Sequence, residues 1–328
     1  MKQKIKKTGI WMFLSVIILF GCKKKEDVNS YTVTFEKGIK RDPCVEVTIN
    51  EIIRPDFISK IGERILVLSS ISDTMIHEYD LKMSYIRGWG NKGASPDEIT
   101  NFPMFCKGGE ANDTLYLWGF SPVNIRKFSE NEVGFFRKDK DIRLPYYDSF
   151  NFMSISKDSI FYYYDVNNLL IKKVLLNSKK EESISFEKDT KDDRSSAFFS
   201  NRGVMDTNTK HIVYAYMYKN QIDIYDKENL TLIKRYLTDN DGLDVGQYDL
   251  TRHYTNVVAS NKYIYAYRVD NSHNHLLEIY DFDGNSIIKN VLKIPIPLFV
   301  IDESSKSIIG FNFEDEDHAF IYNVPELN

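Results

Sequence analysis

Residues 210–237, KHIVYAYMYKNQIDIYDKENLTLIKRYL, confine the fold more tightly than any other stretch. His211–Tyr218 alternates: Ile212, Tyr214, Tyr216 and Tyr218 point to one side, Val213, Ala215 and Met217 to the other. A polar turn at Lys219–Asn220 leads into a second strand, Gln221–Tyr225, and Asp226–Asn229 turns the chain into a third, Leu230–Leu237. Period-two alternation of aromatic and β-branched residues between Asn, Asp and Lys turns is the mark of antiparallel strands and hairpins. The 21 Tyr and 21 Phe in 328 residues point the same way. Flat rings fit a pleated, half-buried surface better than a helix.

The central strand of this unit recurs. Its counterparts are Arg64–Ser69, Thr114–Gly119, Ser159–Tyr164, Tyr263–Val269 and Ser307–Phe313, so the unit repeats at steps of about 44 to 52 residues. A short apolar strand precedes each across a polar turn: Phe57–Lys60, Pro103–Cys106, Phe150–Ile155, Gly203–Met205, Asn256–Ala259 and Leu298–Ile301. A third strand follows each: Met75–Tyr79, Asn124–Phe128, Leu170–Val174, Gln221–Tyr225, Leu276–Tyr280 and Ala319–Tyr322. Four short strands per step is the period of a propeller blade. The expectation is an all-β, six-bladed β-propeller of four-stranded antiparallel blades over 31–328. The sixth unit has no room for a fourth strand before Asn328, and Tyr31–Phe35 and Cys44–Ile49 are spare at the other end. Cys44–Ile49 is therefore expected at the outer edge of the last blade, closing the ring and covering a sheet edge. An open solenoid or two β-sandwiches is the competing arrangement.

The N-terminus is of another kind. Lys2, Lys4, Lys6 and Lys7 precede an apolar run, Ile10–Phe20, too short to span a bilayer and suited to a signal segment. It ends Leu19-Phe20-Gly21-Cys22, which resembles the lipobox of bacterial lipoproteins, with Phe20 where a smaller residue is usual. Residues 1–21 are expected to be a signal peptide, Cys22 the lipidated residue and 22–30 a charged, flexible tether. That puts the chain in the cell envelope as an outer-membrane lipoprotein, facing the periplasm or the outside. Cys44 and Cys106 are expected to be free, buried thiols. With a net charge of −4 and both signs interspersed, no basic stripe argues for nucleic acid.

Arg87–Ile99, RGWGNKGASPDEI, joins the first unit to the second. It is similar to the glycine-rich G-x-G-x-G-P-x-E-F connection of TolB-like six-bladed propeller lipoproteins of bacteria, departing from it by an inserted residue or two and by Ile99 for Phe. With the lipobox and the unit count, the resemblance covers essentially the whole chain. It implies architecture and anchoring, and no catalytic residues. Gly88, Gly90 and Gly93 are read as a structural loop, allowing positive φ and tight backbone approach; no helix follows them to cradle a phosphate.

Candidate sites are few. His273 and His275 in one turn and Glu316 and His318 in the corresponding turn of the next unit are possible metal ligands, but charged turns are commonly just solvated and no metal or other cofactor is expected. Asp239–Asp244 fails the calcium-loop spacing, since the first slot falls on Leu237. Trp89 is a possible ligand contact on the link. Asn201, Arg202, Arg252 and His253, just before inner strands, are candidates for the rim of the channel, the competing role being bonds between blades. No nucleophile, zincin or nucleotide-loop motif appears. The function expected is a monomeric binding or scaffold module for a protein, peptide or glycan. The alternative is a propeller enzyme, a lyase or hydrolase.

Overall fold

The computed structural model describes residues 29–35, 39–41, 44–95, 97–99, 102–108, 114–120, 124–131, 134–144, 150–186, 201–238, 253–270 and 272–324. Every named element is a strand. Three short strands come first: β1 (Asn29–Val33), β2 (Ile39–Arg41) and β3 (Val45–Thr48).

The rest is a succession of antiparallel meanders. Meander 1 is β4 (Phe57–Ile61), β5 (Arg64–Leu68), β6 (Thr74–Asp80) and β7 (Tyr85–Asn91). Meander 2 is β8 (Met104–Gly108), β9 (Thr114–Phe120), β10 (Asn124–Glu130) and β11 (Phe136–Arg143). Meander 3 is β12 (Phe150–Ser156), β13 (Ile160–Asp165), β14 (Leu170–Leu175) and β15 (Lys180–Ser185). Meander 4 is β16 (Gly203–Thr207), β17 (His211–Tyr216), β18 (Gln221–Asp226) and β19 (Leu232–Thr238). Meander 5 is β20 (Tyr254–Ala259), β21 (Tyr263–Val269), β22 (His275–Asp281) and β23 (Ser286–Leu292). Meander 6 has β24 (Leu298–Asp302), β25 (Ser307–Asn312) and β26 (Asp315–Asn323), and its fourth strand is β3, antiparallel to β26 with Val47 opposite Ala319. Meanders 2 and 3 merge into one eight-stranded sheet through a short parallel pairing of β8 with β12.

The first strands stand side by side: β4 beside β8, β12 beside β16, β16 beside β20, β20 beside β24, and β24 beside β4. A buried apolar cluster fills each space between neighbouring meanders, among them Ile76, Ile99 and Leu117 between 1 and 2, and Ile49, Val67, Tyr79 and Phe311 between 6 and 1. Both faces of most sheets are therefore covered, which explains the nearly continuous burial of the second strands, such as Ile212–Tyr216. The N-terminal segment crosses three outer edges in turn. β1 runs parallel to β19, β2 parallel to β23, and β3 closes meander 6. Thus the stretch read as spare at Tyr31–Phe35 is a fifth strand of meander 4, and strand structure begins at Asn29, inside the segment expected to be tether.

The covered faces also change the meaning of the charges in the third strands. Directly opposed pairs join third and fourth strands in five meanders: Glu78 with Arg87, Arg126 with Asp141, Lys173 with Glu182, Asp223 with Arg235, and Glu278 with Lys289. The acid is on the third strand in meanders 1, 4 and 5, and the sign is reversed in 2 and 3. Glu78, Asp223 and Glu278 are fully buried. Glu78 accepts from Arg64 at 3.1 Å and from the Trp89 indole N–H at 2.6 Å.

The glycine link is partly strand. Gly88 and Gly90 lie in β7 and of the three glycines only Gly90, at φ 79°, has a positive φ. Gly88 serves the close approach, because a Cβ there would come within 2.7 Å of the Thr74 methyl. Cys106 is buried, whereas Cys44, expected to be buried, is only half so; both are free thiols.

Candidate functional site

Antiparallel meanders with parallel first strands put all links into first strands, and all turns from second to third strands, at one end of the molecule. The turns from first to second and from third to fourth strands lie at the other. A cavity of about 840 Å³ runs between the six first strands. Phe57, Phe152, Pro297 and Phe313 line it towards the link end, and Asn208, Asn261 and Glu303 towards the other. Phe152 holds φ 48° at a bulge in β12, a conformation rare for a bulky residue, and this turns the chain at the channel wall.

The charged groups of the wall are tied to one another. Lys107 of β8 reaches across to Asp206 of β16, 2.5 Å away, and to the carbonyl of Ala259 at 2.8 Å. Asp206 Oδ2 also accepts the Ala259 N–H at 2.7 Å. Lys60 of β4 lies 3.3 Å from Asp302 of β24. Burial alone would raise the Asp302 pKa; hydrogen bonds from the Ser305 and Ser304 hydroxyls, with Lys60, lower it below the ordinary value. The channel is thus crossed by one ion pair and flanked by a second, between apolar and polar ends. Lys107 and Asp206 each fall one residue past the inner strands expected at Pro103–Cys106 and Gly203–Met205, and enter the wall because β8 and β16 run on to Gly108 and Thr207.

None of the described residues singled out in the sequence as rim candidates lines this channel. The Asn201 carbonyl accepts the Tyr214 hydroxyl at 2.6 Å, and the Arg202 carbonyl accepts Met217 N–H at 2.8 Å. His253 is buried and its N–H donates to the Met217 carbonyl at 2.7 Å, pinning meander 5 to meander 4. Their main-chain groups are used for structure, Arg202 extending the pairing of β16 with β17, and Asn201 and His253 also bonding to a neighbouring meander, the former by accepting the Tyr164 hydroxyl at 3.4 Å. Arg252 lies outside the described residues. Trp89 is half-buried rather than exposed on a link, with Phe128 and Phe136 against its ring.

The metal candidates are dispersed. His273 is in a turn at φ 61°, and His275 is in β22 with Nδ1 2.7 Å from the Tyr267 hydroxyl. His318 meets neither. It joins Asp315, 2.7 Å from Nδ1, and Glu46 of β3, 3.5 Å from Nε2. Glu316 is not in this group, which is Glu46, Asp315 and His318 among the described residues. The hydrogen bond to Asp315 raises the His318 pKa, so the cluster favours a proton and an ion pair.

A second cavity, of about 420 Å³, opens at the link end beside meander 1, lined by Glu51, Ile53, Ile71, Asp73, His77 and Tyr85. Nothing in the sequence pattern marked it, because its walls come from a link, a turn, β6 and β7.

No family model and no curated protein matches the chain. Solved structures do. A protein of Bacteroides fragilis described as exported superposes with a TM-score of 0.58 at 10% identity, over 90% of this chain and 99% of that one. The Cps50 (Swd1) β-propeller domain of Myceliophteria thermophila gives 0.47 at 11% identity over 85% and 100%. BamB from Moraxella catarrhalis gives 0.37 at 8% identity over 81% and 71%. At such identities the likeness concerns fold alone. Meanders packed face to face around a channel, first strand innermost, make this chain a β-propeller.

Proposed function

We propose that the protein is a lipid-anchored, six-bladed β-propeller of the cell envelope, acting as a binding or scaffold module for a protein, peptide or glycan. The observation that carries the reading is the central cavity. Its wall offers apolar contact at one end and hydrogen-bonding groups at the other. Its lysines are paired with aspartates, and no histidine or cysteine is among its described lining residues. Such a wall suits recognition better than proton transfer.

Six blades closed into a ring is supported by the contacts that lead from β4 round to β24 and back to β4, and by the seat of β3 on β26. Asn201, Arg202 and His253 then position the wall. The basic start, the apolar run and Leu19-Phe20-Gly21-Cys22 support a signal over 1–21 and acylation of Cys22, and the likeness to TolB-like lipoproteins supports the same arrangement.

The test is capture from detergent-solubilised envelope with the full chain tagged at its C-terminus. A specific partner or glycan, absent with the unfolded chain, is the expected result. Failure to capture one while a substrate screen scores would transfer the reading to a lyase or hydrolase. Labelling with an alkyne fatty acid, expected for the native chain and lost in Cys22→Ala, tests the anchor. Protease shaving of intact cells distinguishes a periplasmic from a surface orientation.

A further inference from the structure

We infer that the link end of the ring, over meanders 6 and 1, is a docking surface for a partner's peptide segment that carries Lys or Arg beside apolar residues. This rests on the binding-module reading above and gives that module's partner its chemistry.

Three independent features coincide there. The first is exposed apolar surface: Ile53 is 61% exposed, Ile71 46%, Phe102 52% and Phe313 55%, all in links or turns at this end. Phe102 meets Phe57 edge-on at 5.9 Å, which joins the patch to the channel mouth. Large apolar side chains grouped on a surface mark an interaction site rather than ordinary exposure.

The second is charge. Residues 50–56, 69–74, 91–99 and 313–318 carry nine carboxylates and two cationic side chains, Arg54 and Lys92. The corresponding turns of the next three meanders, 121–123, 166–169 and 217–220, hold a single charged residue, Lys219. The acidic field of this sector steers a cationic partner to it.

The third is the 420 Å³ cavity, which lies inside this sector. His77, only 4% exposed, places Nε2 2.9 Å from the Thr74 carbonyl. A carbonyl only accepts, so Nε2 carries the hydrogen and Nδ1 of the neutral ring is an acceptor, with no partner among the described residues. Burial lowers the His77 pKa and favours that neutral form. Glu51 takes the Tyr79 hydroxyl at 3.3 Å, and neither Glu51 nor Asp73 is paired with a cation among the described residues. Two carboxylates and a neutral imidazole demand N–H donors and positive charge. Ile53 and Ile71 beside them fit the methylene stem of lysine or arginine. A neutral glycan would leave the carboxylates unpaired, and a free polyamine would leave the apolar patch uncovered.

The experiment titrates the detergent-solubilised full chain with a fluorescent peptide of alternating lysine and leucine, and with its Lys→Glu and Leu→Ser analogues, at about 0.15 M salt. The parent peptide is expected to bind, and each analogue to bind at least ~10-fold more weakly. The exposed double variant Glu51→Gln/Asp73→Asn should lose ~10-fold for the parent peptide with an unchanged melting temperature. Equal binding by native chain and variant would overturn the proposal. So would a Leu→Ser analogue as tight as its parent, or spermidine competing as well as the peptide. Envelope capture separates this failure from that of the underlying reading. A partner held equally by native chain and variant removes only this surface, whereas capture by neither removes the binding module with it.

Discussion

Replacing Asp223 by alanine tests the packing of charged third strands more directly than any other change. The carboxylate is fully buried in β18 and receives five hydrogen bonds. Arg235 forks onto it, Nε to Oδ1 at 2.8 Å and a terminal nitrogen to Oδ2 at 2.9 Å. The hydroxyls of Tyr216 and Tyr225 donate to Oδ2 at 2.8 and 3.2 Å, and the Gln221 amide donates to Oδ1 at 2.9 Å. Truncation strands a guanidinium whose side chain is only 20% exposed, at a cost of about 3–5 kcal/mol. The two buried hydroxyls lose their acceptor for about 1 kcal/mol or more each. A loss of this size is a large part of the stability of a domain. Asp223→Asn keeps the volume but turns an N–H towards a cation, and is expected to fall between alanine and native. Urea unfolding followed by tryptophan fluorescence reads the midpoint. Arg54→Ala, which breaks an ion pair whose arginine is 44% exposed, is the control and should stay within ~0.5 kcal/mol. An Asp223→Ala variant that loses less than about 1 kcal/mol would refute the reasoning, since the carboxylate would then not be holding those partners.

Three other outcomes follow from particular environments. Asp158 has its pKa lowered to about 2: burial would raise it, but hydrogen bonds from Lys140, Tyr116 and Lys127 win. Its contribution should be complete above the ordinary carboxylate pKa and vanish as pH falls towards about 2, and Asp158→Asn should flatten the acid limb of a stability–pH curve. His77, His211 and His275 all have pKa values lowered, first by burial, so stability should fall as pH drops below the ordinary histidine value, and His77→Gln should lessen that slope in thermal melts. Burial raises the Cys106 thiol pKa, so in native protein a thiol reagent should label half-buried Cys44 first and reach Cys106 only on unfolding.

Strand positions were legible because they depend on local alternation and turn residues. The second strands expected at Arg64–Ser69 and Tyr263–Val269 are β5 and β21, displaced by at most a residue. The seat of Cys44–Ile49 was legible for a similar reason, since a unit short of one strand calls for an outside partner, and β3 is antiparallel to β26. Burial of charge was not legible. Period-two reading assigns Glu78, Asp223 and Glu278 to an outer, wetted face, and a radial sheet has no such face where a neighbour packs on both sides. What hides those charges is a neighbouring meander, the following one for Glu78 and the preceding one for Asp223 and Glu278, together with an opposite charge across the strand pair. The exchange of sign between meanders 1, 4 and 5 and meanders 2 and 3 shows that the requirement is for neutralisation at that depth, not for an acid as such.

The same logic explains the sites. Sequence reading looked for ligand contacts in the links just before inner strands, at Asn201, Arg202 and His253, where the backbone is taken up in bonds within meander 4 and to its neighbours. The channel is instead lined by side chains of the first strands themselves. The second cavity draws Glu51 from a link, Asp73 from a turn and His77 from mid-strand. Residues so far apart in role converge only because β3 brings the chain back to meander 6 and the next link, from Ile49, whose N–H is 2.7 Å from the Asp317 carbonyl, crosses to meander 1. The strand that covers the last sheet edge thereby also delivers Glu51 and Ile53 to the surface where the acid and the apolar patch meet. Weakening that strand, for instance by Val47→Pro, should therefore affect peptide binding at the link end before it affects the meanders farthest from it, and hydrogen exchange resolved by segment would show protection lost first across 45–53 and 315–323.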